Sequence, residues 1–331
     1  MNTNKIGLCW LAANLALGSA IFFPLPLFGA EQTSTSPPDP PAEYIYSIDA
    51  PRDYLSRKFV TFASEIDRFF GDDRNFQESN QSVFQLDLTR VEVTGGDRKF
   101  VLSGRAKLHL PVAEERLHLL VESNPEQNVT GEPPKSQSVL QEKVVAPQSY
   151  GVAARYEKSE ESRWHFSTDA GIRASNGSLQ PFTRARGSYA IPLGQWQLKA
   201  AESLFWFNLI GAGETTQLDL ERVISEPILF RASSIVTWLD AKQNFDMRQD
   251  LSIYQTLNER TALLYQASVV GVSEPEAQVS DYILLLLYRY RLHRDWVFFE
   301  LSPQLHFPQE KNYHSKPLLS LRLEMLFDGD R

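Results

Sequence analysis

The stretch "WHFSTD" holds three residue types that could together carry hydrolysis: His165, Ser167 and Asp169. On an extended chain their two-residue spacing puts all three on one face, with neighbours about 7 Å apart. A serine nucleophile needs a base in reach, a group that orients the base, and donors for the oxyanion. The stretch offers the first two partners but no oxyanion donor, and Trp164 and Phe166 claim the opposite, apolar face. Polar lining of an interior is therefore the expected role, with catalysis at His165, Ser167 and Asp169 kept as an alternative.

A second constellation is basic. Arg155, Arg173, Arg184 and Arg186 recur on the polar face of successive segments and form a ladder. Such a ladder can draw anions or the phosphates of lipopolysaccharide through a lumen. It can equally pair with Asp169, Asp219 and Glu221 and fill a closed interior. Both readings stand at this level. The six histidines show no His-Glu-x-x-His spacing, and no Walker, dinucleotide or Gly-x-Ser-x-Gly pattern occurs, so no metal and no cofactor is expected. A formal charge of -8 disfavours a nucleic-acid partner, because phosphate neutralisation needs clustered Lys and Arg.

The elements that must position these groups follow a period of two from Val83 to Phe327. In "LSLRLEMLF" the residues Leu319, Leu321, Leu323, Met325 and Phe327 fall on one face, against Ser320, Arg322 and Glu324. About fourteen such segments can be counted, with 12–16 allowed, most near the ~9–11 residues that a tilted strand needs to cross a bilayer. Short connections such as "PLG", "SEP" and "NER" alternate with longer ones such as 123–148, "ASNGSLQ", "GAGE" and "FPQEKNYHSK". Trp164, Trp196 and Trp296 open segments and Trp206 and Trp238 lie near closing ends, where an indole meets both hydrocarbon and water. Those five form the expected aromatic girdle. Glu202 and Arg222 break the pattern by falling on the apolar face.

The last segment resembles the final strand of bacterial outer-membrane β-barrel proteins, which typically ends on an aromatic. The resemblance implies an all-β, antiparallel transmembrane barrel over 83–327, with Phe327 as the terminal insertion signal read by the barrel-insertion machinery. It also implies contact with outer-membrane lipid and lipopolysaccharide, and termini that face the periplasm of a Gram-negative cell. His165 and Ser167 are similar to the His-x-Ser pair of outer-membrane phospholipase A enzymes, although Thr168 and Asp169 replace the Asn and Gly that follow there. In that family the pair faces lipid; here Trp164 and Phe166 hold that side.

Upstream, residues 1–30 have the Lys5 charge and apolar run of a signal peptide, with cleavage expected after Ala20 or Ala30. Cys9, the single cysteine, would leave with it. Residues 31–50 are rich in Pro, Ser and Thr and read as a flexible linker. Leu55, Phe59, Phe62, Ile66 and Phe69 form one face of an amphipathic helix over 51–72, stopped by Gly71. It is expected as a plug, a rim cap or a periplasmic element, and the apolar inward patch Ile283, Leu285 and Leu287 is a docking place for it. The expectation is a porin-like channel or transport-type barrel, or a structural one, with a charged lumen and no enzyme activity. A lipid hydrolase at His165 and Ser167 and a soluble periplasmic β-protein are the alternatives.

Overall fold

The structure is a computed structural model. It describes residues 61–71, 76–77, 82–93, 98–110, 116–127, 149–160, 163–292 and 295–328. The expected signal segment, the linker, and residues 51–60 and 72 of the expected helix lie outside the described residues, Leu55 and Phe59 among them.

Fourteen strands follow a helix, α1, over 61–70. They are β1 (Val83–Val93), β2 (Arg98–His109), β3 (Leu117–Ser123), β4 (Ser149–Glu160), β5 (Trp164–Ser175), β6 (Ser178–Leu193) and β7 (Trp196–Phe207). The ring continues with β8 (Gly211–Ser225), β9 (Ile228–Leu239), β10 (Asn244–Asn258), β11 (Thr261–Val272), β12 (Gln278–Arg291), β13 (Val297–Pro308) and β14 (Lys316–Asp328). Every strand pairs antiparallel with its sequence neighbours, and β1 closes on β14 from Val83↔Asp328 to Val93↔Leu318. Closure leaves no edge strand among the described residues, so ladder pairing runs around the ring. Among those residues no second layer is stacked on this sheet; the ring is one sheet.

Burial runs opposite to that of a water-soluble domain. Leu102, Ile172, Leu204 and Leu284 on the outward face are each at least 50% exposed. Lys107, Glu221, Arg289 and Glu324 on the inward face are 0% exposed. The strict period of two is what separates these sets, since a one-residue slip would exchange them. Expected inward residues Ser320, Arg322 and Glu324 of β14 are all buried, while Phe327 is exposed on the outer face.

The alternation of loop lengths holds only in part. At the rim of the chain's two ends, two-residue turns join β6 to β7, β8 to β9 and β10 to β11. At the other rim 124–148 is long, but "ASNGSLQ", expected as a longer loop, makes a two-residue turn. Asn176 and Gly177 both take left-handed φ there (50° and 77°), the geometry of a tight hairpin, and the ladder runs on to Ser175↔Ser178. "GAGE" likewise belongs to β8, paired from Phe207↔Gly211 onward. Turn chemistry, rather than a run of polar residues, sets where these hairpins end.

Helix α1 lies inside the ring. Its Ala63, Ile66 and Phe70 pack in one cluster with Leu229, Tyr254, Leu264, Ile283, Leu285 and Leu287, which are inward residues of β9–β12. The dry patch on β12 is therefore its seat. Of the expected apolar face, Ile66 is buried, and Phe62 and Phe69 flank the cluster. Ala63, Asp67 and Phe70, absent from that expected face, are buried too, because the enclosing wall covers a wider arc than a one-sided surface.

Candidate functional site in the barrel lumen

Three of the polar clusters that line the interior bear on the predicted residues and on α1. The first contains the basic ladder. Arg155 donates from Nε and Nη2 to the two oxygens of Asp169 at 2.6 and 2.8 Å, and from Nη1 to Glu157 at 3.3 Å. Arg184 donates to Asp169 from Nε at 2.8 Å, reaches Glu122 at 2.9 Å and bonds the Pro125 carbonyl at 3.1 Å. Lys107 joins through Glu157 at 3.2 Å. Arg173 is bonded to Gln180 and lies 3.0 Å from Glu126. Arg186 bonds the Ser203 hydroxyl at 3.1 Å, and no carboxylate contact of its own is recorded among the described residues.

Of the four, Arg155 on β4 and Arg184 on β6 close on the Asp169 carboxylate of β5, while Arg173 and Arg186 keep other partners. The carboxylates differ in part from those expected. Asp169 takes its place, but Glu122 and Glu157 stand where Asp219 and Glu221 were named. Asp219 instead accepts from Gln217, and Glu221 from Arg231 at 2.7 Å. Pairing follows strand register: Arg155↔Asp169 and Asp169↔Arg184 are direct cross-strand partners. A cavity of about 10 Å³ beside Ser167, Asp169 and Arg186 has room for about one water.

His165, Ser167 and Asp169 all point inward and are buried. Both oxygens of Asp169 are engaged by Arg155 and Arg184, so its carboxylate serves the ion cluster and does not orient an imidazole. Phe166 occupies the outward face.

The second cluster joins β12, β13, β14, β1 and β2. Arg289 pairs closely with Glu300 and reaches Glu324 at 2.5 Å. Arg322 contacts Glu300 and Glu324, each at 2.7 Å. Gln85 donates to Glu324 at 3.1 Å and accepts from Arg105 at 2.7 Å. Burying such charges is expensive unless each is paired and hydrogen-bonded, and here each carboxylate meets two cations. Phe69 of α1 rests on this cluster, edge-on to Phe298 at 5.7 Å and 5.3 Å from the Arg291 guanidinium.

The third cluster ties helix to wall. Arg231 donates from Nη2 to Asp67 at 2.6 Å, from Nε to Glu221 at 2.7 Å and from Nη1 to Tyr254 at 3.3 Å. Phe70 meets the Tyr254 ring edge-on at 5.2 Å. Asp67 escaped the sequence reading because its position on the helix looks solvent-facing; its partner Arg231 lies 164 residues away. A carboxylate one residue beyond the buried Ile66 was the available signal.

Outside, Trp164 is the cross-strand partner of Tyr189, Trp296 stacks on Phe327 at 4.7 Å, and Trp196 meets Phe230 at 6.1 Å. These lie at the rim of the chain's ends, and Trp206 and Trp238 lie at the other. Arg222 sits outward at the first rim, bonded to Gln195 and 5.3 Å from the Trp196 ring. Glu202 is outward in mid-strand and accepts from Thr216 at 2.7 Å.

A single closed antiparallel sheet with an apolar outside and a charged, occupied inside defines a fourteen-stranded β-barrel of the transmembrane type. No family model matches the chain, and no curated protein matches it. Among solved structures it is similar to Pseudomonas putida OprB at 8% identity, covering 78% of this chain and 97% of that one with a TM-score of 0.45. It is also similar to a loop-deletion mutant of OmpT, an outer membrane protein of Vibrio cholerae, at 10% identity, 74% and 98% coverage and a TM-score of 0.45. The outer membrane channel DcaP of Acinetobacter baumannii matches at 8% identity, 75% and 96% coverage and 0.43. At such values the likeness is of barrel to barrel.

Proposed function

We propose that the protein is an outer-membrane barrel of the channel or transport type, held shut in this conformation by helix α1. One observation carries the reading: a helix seated inside a closed ring, with its apolar side on Ile283, Leu285 and Leu287 and its one buried carboxylate on Arg231. The outward apolar band would contact outer-membrane lipid and lipopolysaccharide. Phe327 at the end of β14 would be the signal for the insertion machinery of a Gram-negative cell, with the shared rim of β1 and β14 toward the periplasm. The five tryptophans would mark the two headgroup levels. A helix held by side-chain contacts with the wall, chiefly the dry patch, the Asp67–Arg231 pair and Phe69 on Phe298, can leave without breaking a ladder bond of the barrel, which suits a gate.

A structural role is the second reading, favoured by Arg155, Arg184, Arg289 and Arg322 each being held by buried carboxylates rather than standing free for a solute. Planar-bilayer recording separates the two. Wild-type chain should give rare, small conductance steps; Ile66→Asp, which puts a charge into the dry seat, should give frequent and larger ones. Silence from both, with the barrel folded, supports the structural role. Ester hydrolysis lost in Ser167→Ala would instead establish the hydrolase.

A further inference from the structure

The outer wall is not alike all the way round. On β1, β2 and β12 the mid-strand outward residues are Leu88, Leu102 and Leu284, all exposed. On β7 to β10 the outward residues of the same band are Glu202, Thr216, Ser234 and Gln249. Glu202 pairs with Thr216 across one ladder, and Ser234 with Gln249 across another. Between them, Thr216 pairs with Val236, two residues beyond Ser234. Barrel strands tilt, so level positions slip by about one residue per strand, and this step brings the four side chains close to one level. They make a polar row across four neighbouring strands of an apolar wall.

The row is bonded within itself and still has capacity at both ends. The Thr216 hydroxyl donates to Glu202 Oε2 at 2.7 Å, and the Ser234 hydroxyl donates to Gln249 Oε1. Gln249 Nε2 donates to the Asp250 carbonyl at 3.3 Å, which takes one of its two hydrogens. Among the described residues, Glu202 Oε1 and the second amide hydrogen of Gln249 have no partner. A carboxyl group turned to lipid at mid-depth is destabilising, because hydrocarbon offers it no bond. Ala200 and Ala232, outward beside the row, are small enough for another wall to come close.

We propose that this sector is an interface between two copies of the chain, related by a twofold axis along the membrane normal between β8 and β9. A half-turn about that axis sets Glu202 against Gln249 of the partner subunit, and Thr216 against Ser234 of the partner subunit. The open acceptor at one end of the row thereby meets the open donor at the other end, once on each side of the axis. An isologous contact needs a surface complementary to itself, and a row with unlike ends has that property. A second copy therefore satisfies the row with the residues already in it. The inference rests on the barrel being a membrane protein.

The test uses the full chain in phosphatidylcholine vesicles, in a Cys9→Ser background. Glu202→Cys chains are mixed with differently tagged Gln249→Cys chains, which leaves the second Glu202–Gln249 contact of each mixed pair intact. A short bismaleimide should join the two tags into a two-copy product; Leu102→Cys with Leu284→Cys, on the leucine sector, should give none. Energy transfer between labelled chains, followed as lipid is added in excess, then measures association without a cross-link. Glu202→Leu removes one polar contact from each copy and should weaken association about tenfold; Glu202→Gln, which keeps an acceptor, should weaken it less. A single-copy barrel at every dilution overturns the proposal, and so does a Glu202→Leu chain that associates like the wild type. A three-copy product overturns the twofold arrangement. If the chain leaves the vesicles at alkaline pH, it is the membrane reading that has failed.

Discussion

Asp67 of the helix and Arg231 of the wall lie 2.6 Å apart, an ion pair that joins the plug to the barrel. Both side chains are buried, and Arg231 keeps Glu221 and Tyr254 as further partners. The pair is placed as a latch: without it the helix keeps only its other wall contacts, while the wall cation remains neutralised by Glu221.

Asp67→Asn should weaken the latch with little change to the ring. Removing one member of a buried pair costs about 3–5 kcal/mol, and the surviving Glu221 contact places this case at the low end. Hydrogen exchange should speed up in the amides of 61–70 while those of β9 and β10 stay protected. Equal exchange in both variants would show that the apolar seat alone holds the helix.

Glu324 binds Arg289 and Arg322 at once, so its loss leaves two buried guanidinium groups to share Glu300. Glu324→Ala should lower the unfolding free energy by about 3–5 kcal/mol, and adding Arg289→Met should recover part of that. Urea titrations of the reconstituted barrel measure both. Strictly additive losses would mean that the cluster is not coupled.

Gly171 and Gly187 make a paired test of wall packing. A methyl group on Gly171 would come within 2.4 Å of the Val152 carbonyl and 2.6 Å of Ala153 Cβ, whereas one on Gly187 would meet nothing within 4 Å. Gly171→Ala should cost about 1–3 kcal/mol through forced displacement of β4; Gly187→Ala should be tolerated. Comparable folding yields and urea midpoints for the two would contradict the close approach of β4 and β5.

Between β12 and β13 the pairing stops at Leu285↔Gln304 and resumes in register at Tyr288↔Leu301, opposite the N–H that Pro303 lacks, so Pro303→Ala restores a backbone donor at this gap. One added ladder bond is worth about 1 kcal/mol, and more where no water can substitute. The variant should unfold at higher urea, and amides near Leu286 and Ser302 should gain protection. A drop in stability would place the irregularity in the side-chain packing and not in the missing N–H.

The residue pattern alone determined a good deal. Alternation at a period of two fixed the strands and the face of nearly every side chain, because an extended chain in a closed sheet has only two sides to offer. It placed Arg155, Arg173, Arg184 and Arg186 inward, and it set the outward anomalies Glu202 and Arg222 apart. It also marked Ile283, Leu285 and Leu287 as a dry place inside, since three apolar residues in an otherwise charged row need an apolar partner. The helical spacing of Phe62, Ile66 and Phe69 named that partner without saying where it sits.

What it could not supply were relations across the ring. Which carboxylate meets Arg184 depends on register and closure, so Glu122 on a strand three places away counts as much as Asp169 on the next. Asp67 and Arg231 are far apart along the chain, and no local period links a helix carboxylate to a wall guanidinium. The gap at Pro303 needed the facing strand, because a proline is harmless until a particular neighbour lacks its donor. Local chemistry chooses the face of each residue; only the closed sheet chooses its partner.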